Sequence, residues 1–287
     1  MKVIKTFLGI IFVIILSITL TTFFLTANIS KFFTVEEMEN TVEKIDISHE
    51  ISKIQNSSAT SENKAEIADV INSAYTEAEN HGISGELVDV IFNSSEVKRF
   101  LGRIAGVTTD GIVNGNKLEP VTSYDFNKLL DDNIDKWIKQ SGIEISDSKK
   151  EVLIIRMKTA AAGVIDNLPV VTDKVDNDII NKINFIFSTK VKITLIIISI
   201  ITFLLIVIIK YKKGLWLLYS GSAILISGLA VIAFSLLIGD MITYALQNYN
   251  LSFLVNAFSN TLSKNLMITG LIESSIAIIM FIFYKFY

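Results

Sequence analysis

Four apolar runs, each long enough to cross a bilayer, constrain this chain more than any other feature. They cover roughly Phe7 to Ala27, Ile193 to Ile209, Gly214 to Gly239 and Leu266 to Tyr284. A helix of about 17 to 25 apolar residues spans the hydrocarbon core. The runs are unequally spaced: one lies near the start, three near the end, and about 160 mostly polar residues separate the first from the second. The layout predicts an all-α protein, a four-span membrane helix bundle with an extracytoplasmic helical-bundle domain inserted between spans one and two. The expected divisions are 1–28 for span one, 29–189 for the inserted domain and 190–287 for spans two to four.

Orientation follows from the lysines. Lys2 and Lys5 precede the first run, Lys210, Lys212 and Lys213 fill the turn between the second and third, and Lys285 follows the fourth. Positive residues in short flanking segments stay in the cytoplasm, which predicts both termini inside, the insert outside and a plasma-membrane location. Lys190 and Lys192 oppose this and are outnumbered. The first run has a basic start and Ala27 after it, as a cleaved signal peptide would. Its length of about 20 residues exceeds the roughly 7–15 of a secretory core, which favours a retained signal anchor.

Charge then separates the regions. Residues 29–189 hold 27 Asp plus Glu against 17 Lys plus Arg, a net of −10, while the rest of the chain carries +7. An acidic insert repels nucleic acid and anionic lipid, which excludes nucleic-acid binding. Cysteine is absent, excluding disulfides, thiol catalysis and cysteine metal sites.

Within the insert the apolar period is helical. Ile67, Val70, Ile71, Ala74, Tyr75 and Ala78 mark one face, and His81-Gly82 supplies the stop. Thr34 with Glu37 and Thr122 with Asp125 read as capping boxes, and Ser84, Ser94 and Ser146 as helix starts. The last opens a stretch containing Val152, Ile155 and Ala160. Asn114-Gly115, Ser141-Gly142, Pro120 and Pro169 are breakers, and Asn56 to Ser61 reads as a flexible segment. The result is a bundle of five or six short helices. Asp176 to Lys190 lacks Gly and Pro, so one helix could run from the insert into span two; the alternative is a kink at Ser188-Thr189.

Between spans three and four, an amphipathic outer helix is expected at about 241–264, with Ile242, Leu246 and Phe258 on one face and Asn256 and Asn260 on the other. It would pack on the bilayer surface or the insert, or bind a partner.

One residue in the spans calls for more than anchoring. Glu273 lies about 10 Å into span four at 1.5 Å per residue, and an ionisable group at such depth points to function. No Lys or Arg occurs in any of the four runs. Candidate hydroxyl partners are Ser199 and Thr202 in span two, Ser235 in span three and the stripe Thr19, Thr22 and Thr26 in span one. Glu273 reads as an interhelical hydrogen-bonding group beside Gly270 and Ser274, as a proton or ion site, or as a partner contact.

Other constellations are bland. His49 and His81 lack convergent ligands, so no metal or cofactor is expected. Asp173, Asp176 and Asp178 lack the glycine and terminal Glu of a calcium loop. Asp131, Asp132 and Asp135 form a solvated face, and Gly102 and Gly106 do not make a phosphate loop.

The run from Ile83 to Leu101, ISGELVDVIFNSSEVKRFL, followed by Thr122 to Trp137, resembles uncharacterised membrane proteins of low-GC Gram-positive bacteria. The resemblance implies a signal anchor, an extracytoplasmic helical domain and a C-terminal cluster of spans, and brings no catalytic residues. With little expected in the cytoplasm, intracellular catalysis would need another subunit. The leading expectation is a non-enzymatic protein of the cell envelope that contacts the lipid bilayer and binds a membrane or envelope protein. The alternative is a small transport or channel component using Glu273, for which a homo-oligomer is compatible. An envelope enzyme ranks third, since no nucleophile motif is present.

Overall fold

The computed structural model describes residues 2–49, 67–166, 177–246 and 254–287. Among the described residues every regular element is helical. The α-helices are α1 (Lys2–Phe32), α2 (Val35–Glu43), α3 (Ile67–Asn80), α4 (Gly85–Phe92), α5 (Ser95–Asn114), α6 (Ser123–Ser141), α7 (Asp147–Ile165), α8 (Asn177–Phe187), α9 (Thr189–Lys210), α10 (Leu215–Leu246) and α11 (Val255–Phe286). They form two compact units. One comprises Met1–Phe32, Asn181–Met241 and Ser259–Tyr287; the other comprises Phe33–Ile180 with Ile242–Phe258.

In the second unit, the helical unit, short polar side chains set the helix starts. Thr34, Ser84, Ser94 and Ser146 each sit in extended backbone and accept a hydrogen bond from a first-turn amide, that of Glu37, Glu86, Val97 and Lys149 respectively. Such caps satisfy donors the helix cannot. At Thr122 the Asp125 carboxylate reaches back to the backbone amide at 2.9 Å and to the hydroxyl at 3.0 Å, which holds the Asp125 carboxyl below its ordinary range. Gly115 and Gly142 end α5 and α6 with φ of 72° and 68°, a left-handed conformation that glycine adopts without penalty.

The core of this unit is apolar and interlocked. Trp137, Leu130 and Ile134 of α6 are buried, as are Leu87 and Ile91 of α4 and Ile71 and Ala78 of α3. The α2–α5 crossing is the tightest. A Cβ built on Gly102 would lie 2.5 Å from Glu39 Cα, and one on Gly106 would lie 2.6 Å from Val35 Cα. These glycines let two backbones touch. In α7 the buried face differs from the expected one: Leu153, Met157 and Ala161 are buried while Ile155 is 54% exposed. Apolar residues lie all round this helix, so its neighbours select the face.

Two boundaries also differ from expectation. Ser188 leaves helical geometry (φ −62°, ψ 150°) and caps α9 through Val191 N, so the kink is the observed alternative and α8 is a separate helix. The 241–264 segment is shared: its start continues α10, and residues from Val255 open α11. Neither stretch contains a breaker, and extending an existing helix avoids a new nucleus. Ile242–Phe258 groups with the helical unit. Asn56 to Ser61, Pro169, Asp173 and Asp176 lie outside the described residues, as do 247–253.

Among the described residues, helical stretches long and apolar enough to cross a membrane are Val3–Phe32, Asn177–Lys210 (α8 with α9), Lys212–Asp240 and Val255–Phe286, and most of each lies in the first unit, the span unit. The third is the most enclosed, with 39% of its membrane-length stretch buried against 17 to 22% for the others. It has neighbours on two sides. Towards α1 and α9, Ala223 packs with Leu16 and Ile206, and the rings of Phe203 and Trp216 meet edge to face at 6.0 Å. Towards α11 it presents Gly221, Gly228 and Ser235 of α10, small residues seven apart, with Gly214 just before the helix in left-handed backbone. A seven-residue repeat keeps one seam in contact along a left-handed pair.

Candidate functional site

The α10–α11 seam is read from its close approaches. Cβ atoms built on Gly214 and Gly221 would meet Tyr287 at 3.0 Å and Phe281 at 2.8 Å, and one on Gly239 would meet Ser259 Oγ at 2.7 Å. Ser263 donates a hydrogen bond to the Ser235 carbonyl at 2.6 Å. Numbers rise on one helix as they fall on the other, so the helices are antiparallel. At the middle, a Cβ on Gly228 would lie 2.7 Å from the Gly270 carbonyl oxygen, and one on Gly270 would lie 2.6 Å from the Gly228 carbonyl oxygen.

Glu273 sits at this crossing. At 1.5 Å per residue it lies about 27 Å from Val255 and about 20 Å from Phe286 along the axis, because α11 begins before the apolar run. The residue is 2% exposed, and neither carboxyl oxygen has a protein hydrogen-bond partner. The group that comes within hydrogen-bonding reach of it is the Ser227 hydroxyl, fully buried, at a geometry short of an ideal hydrogen bond. Ser220, one heptad earlier, is buried and unpartnered too. Ser274 is committed to its own helix, donating to the Gly270 carbonyl at 2.8 Å.

Of the hydroxyls named from sequence, Ser235 lies on the seam and the others fall elsewhere. Ser199 donates to Thr19 Oγ1 at 2.9 Å, and Thr19 in turn donates within α1, with the Ile15 and Leu16 carbonyls at 3.0 and 3.1 Å. This chain of hydroxyls ties α9 to α1. Thr22 bonds the Ile18 carbonyl and Thr26 the Thr22 carbonyl, each at 2.8 Å, while Ser235 bonds the Ile232 carbonyl at 2.7 Å. Thr202 is buried in α9. Sequence reasoning missed Ser227 and also Ser17, whose hydroxyl lies 3.0 Å from the Ala223 carbonyl of α10. The glycine heptad was the signal that could have found Ser227, since it directs residues 227 and 228 towards α11.

Outside the seam several polar groups pair structurally, while Trp137 Nε1, Asn127 Oδ1 and Asn184 Oδ1 are buried without a protein hydrogen-bond partner. Tyr75 OH bonds the Asp89 carboxylate and lies 2.9 Å from Ser48 Oγ, which also accepts from Asn93 Nδ2 at 2.9 Å. Burial, then the Asp89 contact, pushes the Tyr75 phenol up. Asp131 pairs with Lys158 at 2.6 Å and Asp135 with Lys150, joining α6 to α7. His81 stands 3.5 Å from Glu77, and the His49 amide donates to Asp46 at 3.1 Å. Among the described residues no cluster of three His, Asp or Glu could hold a metal.

The four long apolar helices are compatible with an integral membrane protein of all-α architecture and multi-pass topology. No protein-family model, curated protein or solved structure matches the chain.

Proposed function

We propose that the protein is a multi-pass component of a bacterial cell envelope whose helical unit faces outside the cytoplasm and binds a membrane or envelope protein. It acts without catalysis, in sensing or scaffolding, with α1 as a retained signal anchor. One observation carries this reading: the helical unit has its own core, centred on Trp137, in the segment between the first and second spans. A separately cored, acidic unit of this size is suited to recognition. The lysine distribution supports an outside location for it.

A natural lack of cysteine makes the topology directly testable. Single cysteines at exposed Tyr124 and at Lys212, each in intact cells, should react oppositely with a membrane-impermeant maleimide: the first labelled, the second protected. Labelling of Lys212→Cys alone would reverse the topology. Affinity capture of the full chain from gently solubilised membranes should then recover a stoichiometric partner that is lost on truncating the helical unit. Recovery of the chain alone would count against the binding role.

A second reading, a small transport or channel component, is favoured by the buried, unpartnered Glu273 carboxyl.

A further inference from the structure

We propose that Glu273 and Ser227 form an occluded site for a monovalent cation, a proton or a small alkali ion, within the α10–α11 seam. The site rests on neither functional reading, because a cation held there can serve packing as well as passage.

The argument begins with charge. The carboxyl and the Ser227 hydroxyl are buried side by side, neither meets any other protein hydrogen-bond partner, and an uncompensated carboxylate in such surroundings is costly. The four apolar runs contain no Lys or Arg. On α11 the nearest cation is Lys264, about 13 Å away along the helix and exposed. Lys210, on α9, faces Tyr219, with its Nζ 3.0 Å from the phenol oxygen and 4.2 Å from the ring centroid. The group facing Glu273 from α10 is Ser227, and α1 meets α11 one turn away, where Thr269 bonds Asn28; neither Ser227 nor Asn28 is titratable. The carboxyl therefore has to carry its own counter-charge.

Ligand chemistry narrows the choice. A divalent ion such as calcium gathers six to eight oxygens, several of them from carboxylates. This crossing offers one carboxylate and the neighbouring Ser227 hydroxyl. One negative charge with a neutral oxygen suits a single positive charge. Beside this position the Gly228–Gly270 approach brings backbone to backbone.

The full chain in liposomes can be probed with dicyclohexylcarbodiimide, which is apolar enough to enter the bilayer. It reacts with a protonated carboxyl: the acid proton goes to nitrogen, the carboxyl oxygen bonds the central carbon, and the adduct rearranges to a stable N-acylurea. Mass spectrometry of the Glu273 peptide is expected to show the adduct in wild type and none in Glu273→Gln. If the occupant is an alkali ion, sodium or lithium suppresses labelling where choline at equal ionic strength does not. If it is the proton, labelling falls with rising pH alone. Ser227→Ala is expected to shift the pH or ion dependence by about tenfold in cation concentration, the scale of one hydrogen bond to a charged group, and Ser227→Thr to restore it. The proposal is overturned by an absence of adduct at every pH from roughly 5 to 9. It is equally overturned by labelling indifferent to both pH and ions, or by a Ser227→Ala titration that matches wild type.

Discussion

Two glycine crossings, one in each unit, use the same device for different ends. At α2–α5, Gly102 and Gly106 bring the backbone of Val35 and Glu39 into contact, flanked by Met38 and Val42, which are buried. The charged groups lie at the rim, where Arg99 meets Glu43 at 3.2 Å. At α10–α11, Gly228 and Gly270 make an equally close approach, yet what it encloses is polar: Glu273 and Ser227. In water, removal of apolar surface drives a crossing together. Between membrane helices that force is absent, so close packing and polar contacts carry the association.

The largest expected effect comes from closing the first crossing. Gly102→Val sets a branched side chain against the Glu39 backbone, which cannot give way, and should destabilise the helical unit by about 3 kcal/mol or more. The chain has two tryptophans, one in each unit, so Trp216→Phe leaves Trp137 as a fluorescence reporter of this unfolding. Gly228→Val should leave that transition in place while abolishing disulfide formation between cysteines introduced at Ser235 and Ser263. An equal loss of the Trp137 transition in both variants would break the comparison.

The polar content of the second crossing is probed by size-matched changes. Glu273→Gln keeps hydrogen-bonding capacity and should retain the Ser235–Ser263 cross-link in full. Glu273→Leu leaves Ser227 facing hydrocarbon and should weaken the pair by about 1 kcal/mol, read as lower cross-linking yield at raised temperature. Equal yields would mean that packing alone holds the seam.

The smallest expected effect is acid sensitivity confined to the helical unit. A Lys136 hydrogen bond holds the Glu96 carboxyl below its ordinary range, and Ser123 does the same for Asp166, as the Thr122 contacts do for Asp125. Folded values below the unfolded ones mean that this stability is complete above the ordinary values of 3.8 and 4.5 and is lost as pH falls through the folded values. Glu39 acts in the opposite sense: burial raises its carboxyl, with Arg103 and Arg99 offsetting part of the shift, so its contribution is present at low pH and is lost as pH rises. The three lowered carboxyls act against Glu39, and the Trp137-reported Tm should fall on acidification below pH 4.

Much of the local structure was legible because it depends on neighbours in sequence. Ser84, Ser94, Thr122 and Ser146 start helices, and Gly115 and Gly142 end them, through contacts spanning three or four residues. Glu273 was legible as an oddity, since a lone acid in an apolar run needs no partner to be noticed. Its neighbour was not. Choosing Ser227 over Ser199 or Thr202 requires the rotation and stagger of one helix against another.

The sequence by itself determined the four apolar helices, the polar caps and the acidic character of the segment between the first two spans, because hydropathy, charge and capping are properties of single segments. Tertiary structure alone decided that Leu153 rather than Ile155 faces the core, that Ser199 bonds Thr19, and that Glu273 lies beside Ser227. Each of these outcomes depends on which faces of two helices meet, and a helix with apolar residues all round leaves that choice to its neighbours.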